Sequence, residues 1–141
     1  MSYSKVLSEF NIIEGVHENE HRIIIQVAKK NHPSHCPYCL LMANLYKYGT
    51  RKQMIVDIPI RSKQVILEIN RKRYKCKECF TSFWEPLESV DQRRLMTTRL
   101  VKFIERETMK NKFIDVARAI GVNEKTVRNV HKDYVKDKET H

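Results

Sequence analysis

The sequence predicts an α+β fold in which a β-rich region, residues 1–90, precedes a small three-helix domain, residues 91–141. Up to about residue 88, β-branched residues alternate with polar ones, which is typical of half-buried strands. Beyond residue 91, apolar residues recur at helical spacing and no strand pattern occurs. The length of 141 residues allows one compact domain or two very small ones, which excludes a large catalytic domain with an accessory module.

The β-rich region is expected to begin with two strands, FNIIEGV and HRIIIQVA, around the polar turn HENE. The segment MANLYKYGTRKQMIVDIPI predicts short extended pieces that break at Gly49 and Pro59. QVILEIN predicts a strand with Val65, Leu67 and Ile69 on one face. RKRYKCKECFTSFWEP then predicts a strand, a cysteine turn and a further strand.

Three helices are expected in the last third of the chain. Thr97 or Thr98 is predicted to cap the first helix, Gly121 to end the second and Asn123 to cap the third. The helical spacing predicts one apolar face on each helix: Leu100, Val101, Ile104 and Thr108 on the first, Ile114, Val116, Ala117 and Ile120 on the second, and Val127, Val130 and Tyr134 or Val135 on the third.

The positive charge is concentrated where the motifs lie. The formal net charge is +10, yet residues 1–35 carry four basic and four acidic residues. Residues 36–90 carry ten basic against five acidic residues, and residues 91–141 carry thirteen against eight. This excess suits a polyanionic partner. No apolar run approaches the roughly 20 residues that span a bilayer, and no secretory signal pattern occurs, so we expect a cytoplasmic protein without a membrane partner.

Two C-x-x-C pairs, Cys36 with Cys39 and Cys76 with Cys79, are the strongest chemical signal. Two thiolates in each tight turn can bind one metal ion, and four complete the tetrahedral site that zinc prefers. Disulfides rarely persist in a reducing cytoplasm, and redox C-x-x-C motifs occur singly beside a βαβ unit, which this sequence does not predict. The spacing therefore predicts a zinc ribbon with one structural Zn²⁺, with disulfides or a redox pair as the alternatives.

Other side chains lie near the cysteines in the sequence. His32 and His35 could replace a cysteine as ligands, but we interpret them as ordinary loop histidines. Phe80, Phe83 and Trp84 are expected to shield the metal site, and an exposed Trp84 could instead stack on a nucleic-acid base.

The segment FIDVARAIGVNEKTVRNVHK predicts a helix-turn-helix motif. Ala117 allows two helices to cross closely, and Gly121 tolerates the positive φ that the turn requires. A plain helical hairpin with no role in DNA binding is the alternative. The motifs together predict an N-terminal β-rich zinc ribbon followed by a small three-helix helix-turn-helix domain.

In a DNA-binding motif of this kind the third helix, predicted over residues 124–136, enters the major groove. Arginine and lysine can contact guanine edges and asparagine can pair with adenine, while some side chains contact only phosphate. The side chains expected to contact DNA from this helix are Lys125, Thr126, Arg128, Asn129 and Lys132. The basic stretch Arg71, Lys72 and Arg73 of the ribbon is expected to add further contacts.

The motifs occur in a characteristic order: CPYC, VDIPI, QVILEIN, RKRYKCKECFTSFWEP, a threonine-led helix and VARAIGVNEKTV. Over about residues 30–135 this order resembles the N-terminal region of bacterial insertion-sequence transposases of the ISL-three family. The resemblance implies a module that binds the terminal inverted repeats of a transposon. Leu40 departs from the family, in which glycine commonly follows the second cysteine. Family transposases also continue into a catalytic domain, so a chain that ends at His141 is expected not to cut DNA.

The leading hypothesis is therefore sequence-specific binding of double-stranded DNA by part of a transposase or of a transposase-derived protein. We expect no enzymatic activity and no small-molecule substrate, a location at the bacterial nucleoid, and a homodimer as one open arrangement. The first alternative is a free-standing helix-turn-helix transcriptional repressor. A nuclease using Asp57, Asp91 or Asp115 is disfavoured because these residues lack paired spacing. A ribbon that binds RNA or protein through residues 71–77 is the last alternative.

Overall fold

The computed structural model of the chain describes residues 8–40 and 44–139. The described part is a mixed α+β structure, as predicted. Its elements in chain order are β1 (Phe10–Glu18), β2 (Arg22–Lys29), β3 (Leu45–Ile60), β4 (Lys63–Cys76), β5 (Ser82–Trp84), β6 (Val90–Asp91), β7 (Met96–Thr97), α1 (Thr98–Glu107), α2 (Phe113–Ile120) and α3 (Glu124–Glu139).

The described strands form one sheet in the order β1-β2-β4-β3-β7-β6. The pairs β1–β2 and β3–β4 are antiparallel hairpins, and β2 lies parallel to the first half of β4. Strand β5 pairs with the second half of β4, where β2 has already ended. Strand β4 is therefore the central strand, and it links the N-terminal hairpin to the cysteine turns.

The predicted strands of the β-rich region are confirmed, but the predicted breaks in β3 are wrong. β3 runs as one strand from Leu45 to Ile60. Its pairing with β4 continues past both expected breaks, with register shifts between Lys47 and Gly49 and between Asp57 and Ile60. Such shifts are β-bulges, which insert an extra residue without ending the strand. The local break signals mark bulges because the neighbouring strand supplies hydrogen bonds on either side of them.

Strand β4 changes its buried face near its middle. Val65, Leu67 and Ile69 are buried on one face, as predicted. From Tyr74 to Cys76 the even-numbered residues are buried instead. The first face belongs to the main core, and the second packs around the cysteines. The main core contains Phe10, Ile23, Ile25, Val27, Ile55, Val65, Leu67, Ile69, Leu87 and Val90.

The segment between β5 and β6 closes the main core by joining the start of β1. The Glu9 carboxylate accepts hydrogen bonds from the backbone N–H of Glu88, at 2.7 Å, and of Ser89, at 3.1 Å. Lys29 Nζ donates to the Pro86 carbonyl at 2.5 Å. These contacts hold Leu87 and Val90 over the sheet.

The three predicted helices are present and share a second apolar core. Its members are Met96, Leu100, Val101, Ile104, Val116, Ala117, Ile120, Val127 and Val130. Ile114, which was expected in this core, is 47% exposed, because it lies in the first turn of α2 outside its buried face. Helix α3 extends three residues beyond the predicted end at residue 136. Within the described ranges, none of the helices is long and apolar enough to cross a membrane.

Buried polar bonds attach the start of α1 to the sheet. Thr97 is the N-cap of α1, and its Oγ1 accepts from the Leu100 N–H at 3.2 Å. The same hydroxyl donates to Asp57 Oδ1 at 2.7 Å, and Arg99 Nε donates to that oxygen at 2.9 Å. The hydrogen bonds with Asp57 raise the pKa of Arg99 above its ordinary value. One buried carboxylate thus attaches the start of α1 to β3, in addition to the apolar packing of Val56 and Ile58 against the same helical core.

The end of α2 is attached to β4. Gly121 ends the helix in the left-handed conformation, with φ of 85°, as predicted. Its carbonyl accepts a hydrogen bond from Gln64 Nε2 at 2.7 Å. A Cβ on Gly121 would stand 3.0 Å from the end of the flexible Gln64 side chain, which can shift, so it is the positive φ of the turn that requires glycine here. Asn123 caps α3, because its Oδ1 accepts from the Lys125 N–H at 2.7 Å.

The adjacent threonines at the start of α1 should differ sharply in their effect on stability. Replacing Thr97 by Ala removes a helix cap and a buried hydrogen bond to Asp57, so we expect the free energy of unfolding to fall by about 2–3 kcal/mol. Thr98→Ala is the matched control and should cost less than about 0.5 kcal/mol, because Thr98 is exposed. Urea unfolding of both variants measures the difference, and equal losses would contradict the cap assignment.

Candidate zinc centre and nucleic-acid interface

The two C-x-x-C pairs meet in the structure. The Sγ atoms of Cys36, Cys39, Cys76 and Cys79 all lie within 4.8 Å of one another. Cys36 Sγ is 3.6 Å from Cys79 Sγ, and Cys39 Sγ is 3.9 Å from Cys76 Sγ. A tetrahedral zinc with bonds of about 2.3 Å requires sulfurs about 3.8 Å apart, whereas a disulfide requires about 2.05 Å. The four thiols therefore fit one structural Zn²⁺, as predicted.

The two cysteine turns have the same backbone hydrogen bonds. The Tyr38 N–H donates to Cys36 Sγ at 3.4 Å, and the Glu78 N–H donates to Cys76 Sγ at 3.3 Å. Bonds of this kind partly neutralise a thiolate and orient it toward the shared centre. Hydrogen bonds from Thr81, with smaller contributions from the other cysteines, lower the pKa of the Cys79 thiol to about 6. A low pKa favours the thiolate, which is the form that binds metal.

Each turn closes through a residue in the left-handed conformation. The Leu40 N–H donates to the Cys36 carbonyl at 2.9 Å, and the Phe80 N–H donates to the Cys76 carbonyl at 3.0 Å. Leu40 and Phe80 both have φ of 62°, which non-glycine residues rarely adopt. Leu40 stands where the family commonly has glycine. The turn still forms, but leucine is strained in this left-handed conformation, in which glycine would not be.

Aromatic packing covers one side of the cysteines. Tyr74 and Phe83 are buried and stacked, with ring centroids 6.1 Å apart. His32 Nδ1 lies 2.9 Å from the Tyr74 hydroxyl, which gives this histidine a hydrogen-bonding role beside the centre. The expectation that Phe80 shields the metal is wrong, because its side chain is 72% exposed and only its backbone closes the turn.

The side chains predicted to contact DNA from the third helix share one face of α3. Val127 and Val130 are buried against α1 and α2, which turns the opposite face outward. That face carries the exposed Lys125, Arg128, Asn129 and Lys132 and the half-buried Thr126. Arg128 Nη2 pairs with Glu124 Oε1 at 2.6 Å, one helical turn earlier. The structure therefore brings all five predicted side chains together.

Two further arginines join this face, and the sequence reasoning missed them. Arg94 Nη2 lies 2.6 Å from Asp133 Oδ2 on α3, and Arg93 Nη2 lies 3.5 Å from the same oxygen. The Arg93 side chain is mostly exposed. In the sequence, two adjacent arginines shortly before a capped helix could have indicated a basic contact surface. Only the packing of α3 against the loop between β6 and β7 shows that they join the outward face of α3.

The three predicted ribbon cations do not form one surface. Arg71 is buried, and its Nε and Nη2 donate to the Glu85 carbonyl at 3.0 and 2.8 Å. Its guanidinium therefore holds β4 to the segment after β5, which corrects the expectation of a DNA contact. Lys72 and Arg73 are partly exposed and, as neighbours on a strand, point to opposite faces.

Residues 32–79 match the family model described as the zinc-finger of transposase IS204/IS1001/IS1096/IS1165. The match covers about a third of the chain and includes all four cysteines. No curated protein and no solved structure matches the chain. The segment around the cysteines is thus a zinc ribbon of the transposase type, which suggests nucleic-acid binding.

Metal analysis should find one zinc ion for each chain. Replacing either Cys36 or Cys76 by Ser removes a buried ligand, so we expect loss of zinc together with unfolding of the ribbon, since metal binding and folding are coupled in such sites. Elemental analysis and circular dichroism measure both. Ser34→Ala is the control, because the one hydrogen bond found for the Ser34 hydroxyl is to the neighbouring His35 and not to a cysteine. Fully reduced, folded protein without zinc would contradict the assignment.

Glycine in either cysteine turn should stabilise the protein. Leu40→Gly and Phe80→Gly each remove a left-handed non-glycine residue whose side chain is largely exposed, so we expect each to add about 1 kcal/mol to the free energy of unfolding. Thermal unfolding of the zinc-loaded protein measures this. Tyr38→Gly is the control and should destabilise, because Tyr38 does not have a positive φ. If both glycine variants are less stable than the unchanged protein, the assignment of backbone strain to Leu40 and Phe80 is wrong.

Proposed function

We propose that the chain binds double-stranded DNA in a sequence-specific way, as the part of a transposase or transposase-derived protein that recognises the terminal inverted repeats. The observation that carries this proposal is the outward face of α3, where Lys125, Arg128, Asn129 and Lys132 are exposed on a helix packed firmly against α1 and α2. The transposase-type ribbon in the same chain supports the same class of partner.

The geometry of α3 suits insertion into a major groove. The buried valines fix the rotation of the helix, so that its polar face is presented as a rigid unit. Asn129 can pair with adenine, and Arg128 can form a bidentate contact to guanine once it leaves Glu124. Lys125, Lys132 and Arg93 flank these residues and would contact phosphates.

The proposal assigns no DNA cleavage to this chain. Asp57 is occupied by Thr97 and Arg99, and Asp91 pairs with Arg94 at 3.3 Å. Among the described residues, the cysteine cluster is the only group of side chains found that could hold a metal ion. Four cysteines complete the coordination of zinc and leave no position for a reactive water.

Selection from random duplexes should recover a preferred site, and Arg128→Ala should then separate base contacts from phosphate contacts. We expect this change to cost about 1–3 kcal/mol on the selected site and to relax preference at one base pair. Loss of the exposed pair with Glu124 alone changes helix stability by only about 0.5 kcal/mol. Titration against selected and scrambled duplexes at one salt concentration measures both effects.

Lys72→Ala on the ribbon is the matched variant for this titration. It should weaken both duplexes by the same factor, because a phosphate contact carries no sequence information. If Arg128→Ala also lowers both affinities equally, the residue contacts phosphate and the base-reading role is wrong. If no duplex is enriched in the selection, the proposed function itself is wrong.

A further inference from the structure

A partly exposed row of alternating cations and aromatic rings lies on the ribbon, outside the residues assigned to α3. We call it the cation–aromatic ladder, and its members are Tyr46, Tyr48, Arg51, Arg73, Lys75, Lys77 and Trp84. Each ring has at least one cation over its face, and the distances run from the cationic atom to the ring centroid. Over Trp84 these are 4.5 Å for Arg51 and 5.6 Å for Arg73. Over Tyr48 they are 5.4 Å for Arg73 and 5.2 Å for Lys75, and over Tyr46 the distance is 5.6 Å for Lys77. The ladder contains four cations and no carboxylate.

A bulge in β3 creates this arrangement. Tyr46 lies opposite Lys75, and Gly49 lies opposite Arg73, so Tyr48 is the extra residue between them. Without the bulge, side chains would alternate strictly, and a residue three positions after Tyr48 would face the other way. The shift puts Arg51 on the same face as both tyrosines. Gly49, at this bulge, has φ of 147°, a conformation that residues with a side chain rarely adopt.

The ladder is open to solvent because β4 changes its buried face. Arg73 and Lys75 continue the face that is buried at Val65 and Leu67, but here both side chains are only half-buried, although Arg73 Nε itself is shielded from solvent. Tyr46 and Tyr48 are 39% and 49% exposed. Both tyrosine rings thus remain partly exposed, and each has a cation over its face.

We propose that the cation–aromatic ladder binds the sugar–phosphate backbone of double-stranded DNA, independently of sequence, as a second contact surface in addition to α3. The inference rests on the proposed function and extends it to a surface that the helix does not use. Arg73 and Lys75 lie one two-residue step apart on β4, about 6.7 Å along the strand, and Lys77 follows just beyond the end of the strand, in the cysteine turn. A regular row of cations is complementary to a regular row of phosphates.

The rings explain why the cations can act together. A cation over an aromatic face is attracted by the negative face of the ring, which restricts a long side chain before DNA arrives. Arg73 is further held by a bond of 2.8 Å from Nη2 to Ser82 Oγ. Less side-chain freedom is then lost on binding. Because the ring faces are already occupied by these cations, base stacking from single strands is the less favoured use of the surface.

The salt dependence of duplex binding tests the ladder directly. The triple variant Arg73→Gln, Lys75→Gln and Lys77→Gln removes three phosphate contacts. We expect the slope of log K against log salt to become less steep by about 2.7, equally on selected and scrambled duplexes. The control triple variant Lys30→Gln, Lys102→Gln and Lys110→Gln has the same change in charge at exposed positions outside the ladder and α3, and its slope should remain near that of the unchanged protein.

A second variant separates the role of the rings from that of charge. Tyr46→Leu with Tyr48→Leu keeps every cation, and we expect it to weaken duplex binding several-fold on both DNAs while the zinc content stays at one per chain. If it weakens only single-stranded DNA, the rings stack on bases and the duplex assignment is overturned. If the ladder triple variant loses its fold, Lys77→Gln alone at the exposed end of the row should reduce the slope by about 0.9.

The outcomes also distinguish this proposal from the proposed function. If the unchanged protein binds its selected site and the ladder triple variant has the same slope as the control, the ladder proposal alone is wrong. If the unchanged protein has no affinity for any duplex, the proposed function fails as well. Loss of affinity confined to the selected site would show that the ladder reads sequence, which also contradicts the proposal.

Discussion

The change of buried face along β4 is the constraint on which the other features depend. The first half of the strand contributes Leu67 to the main core, and the second half contributes Cys76 to the zinc centre. Between them Arg71 is held by the Glu85 carbonyl, and the Lys72 N–H donates to Glu85 Oε1 at 2.9 Å. One strand can thus serve two cores on opposite faces of the sheet, since consecutive side chains alternate between the faces.

Two small apolar cores and a metal centre together stabilise this chain. A structural zinc site of this kind contributes about 10 kcal/mol or more to folding, comparable with the whole stability of a small domain. The helices depend on the sheet in a different way, through the buried Asp57 at the start of α1 and Gln64 at the end of α2. Loss of zinc should therefore affect the ribbon first, and loss of Asp57 should affect the helices.

Neighbouring basic residues have different roles because of their place in the sheet. Arg71 is buried and structural, whereas Arg73, two residues later, lies in the open ladder. The net charge of the ribbon is consequently a poor guide to its partner, and the exposed and ordered cations are the informative ones. On α3 the same distinction holds, since Val127 and Val130 decide which cations face outward.

The sequence alone determined the features that depend on short spacings. The cysteine pairs, the strands around the HENE turn, the glycine at residue 121 and the cap at Asn123 follow from local stereochemistry and ligand chemistry. Only the tertiary structure decided the continuity of β3, the burial of Arg71 and the shared face of the ladder. These depend on the register between strands that are far apart in sequence, where a shift of one residue reverses the face of every side chain.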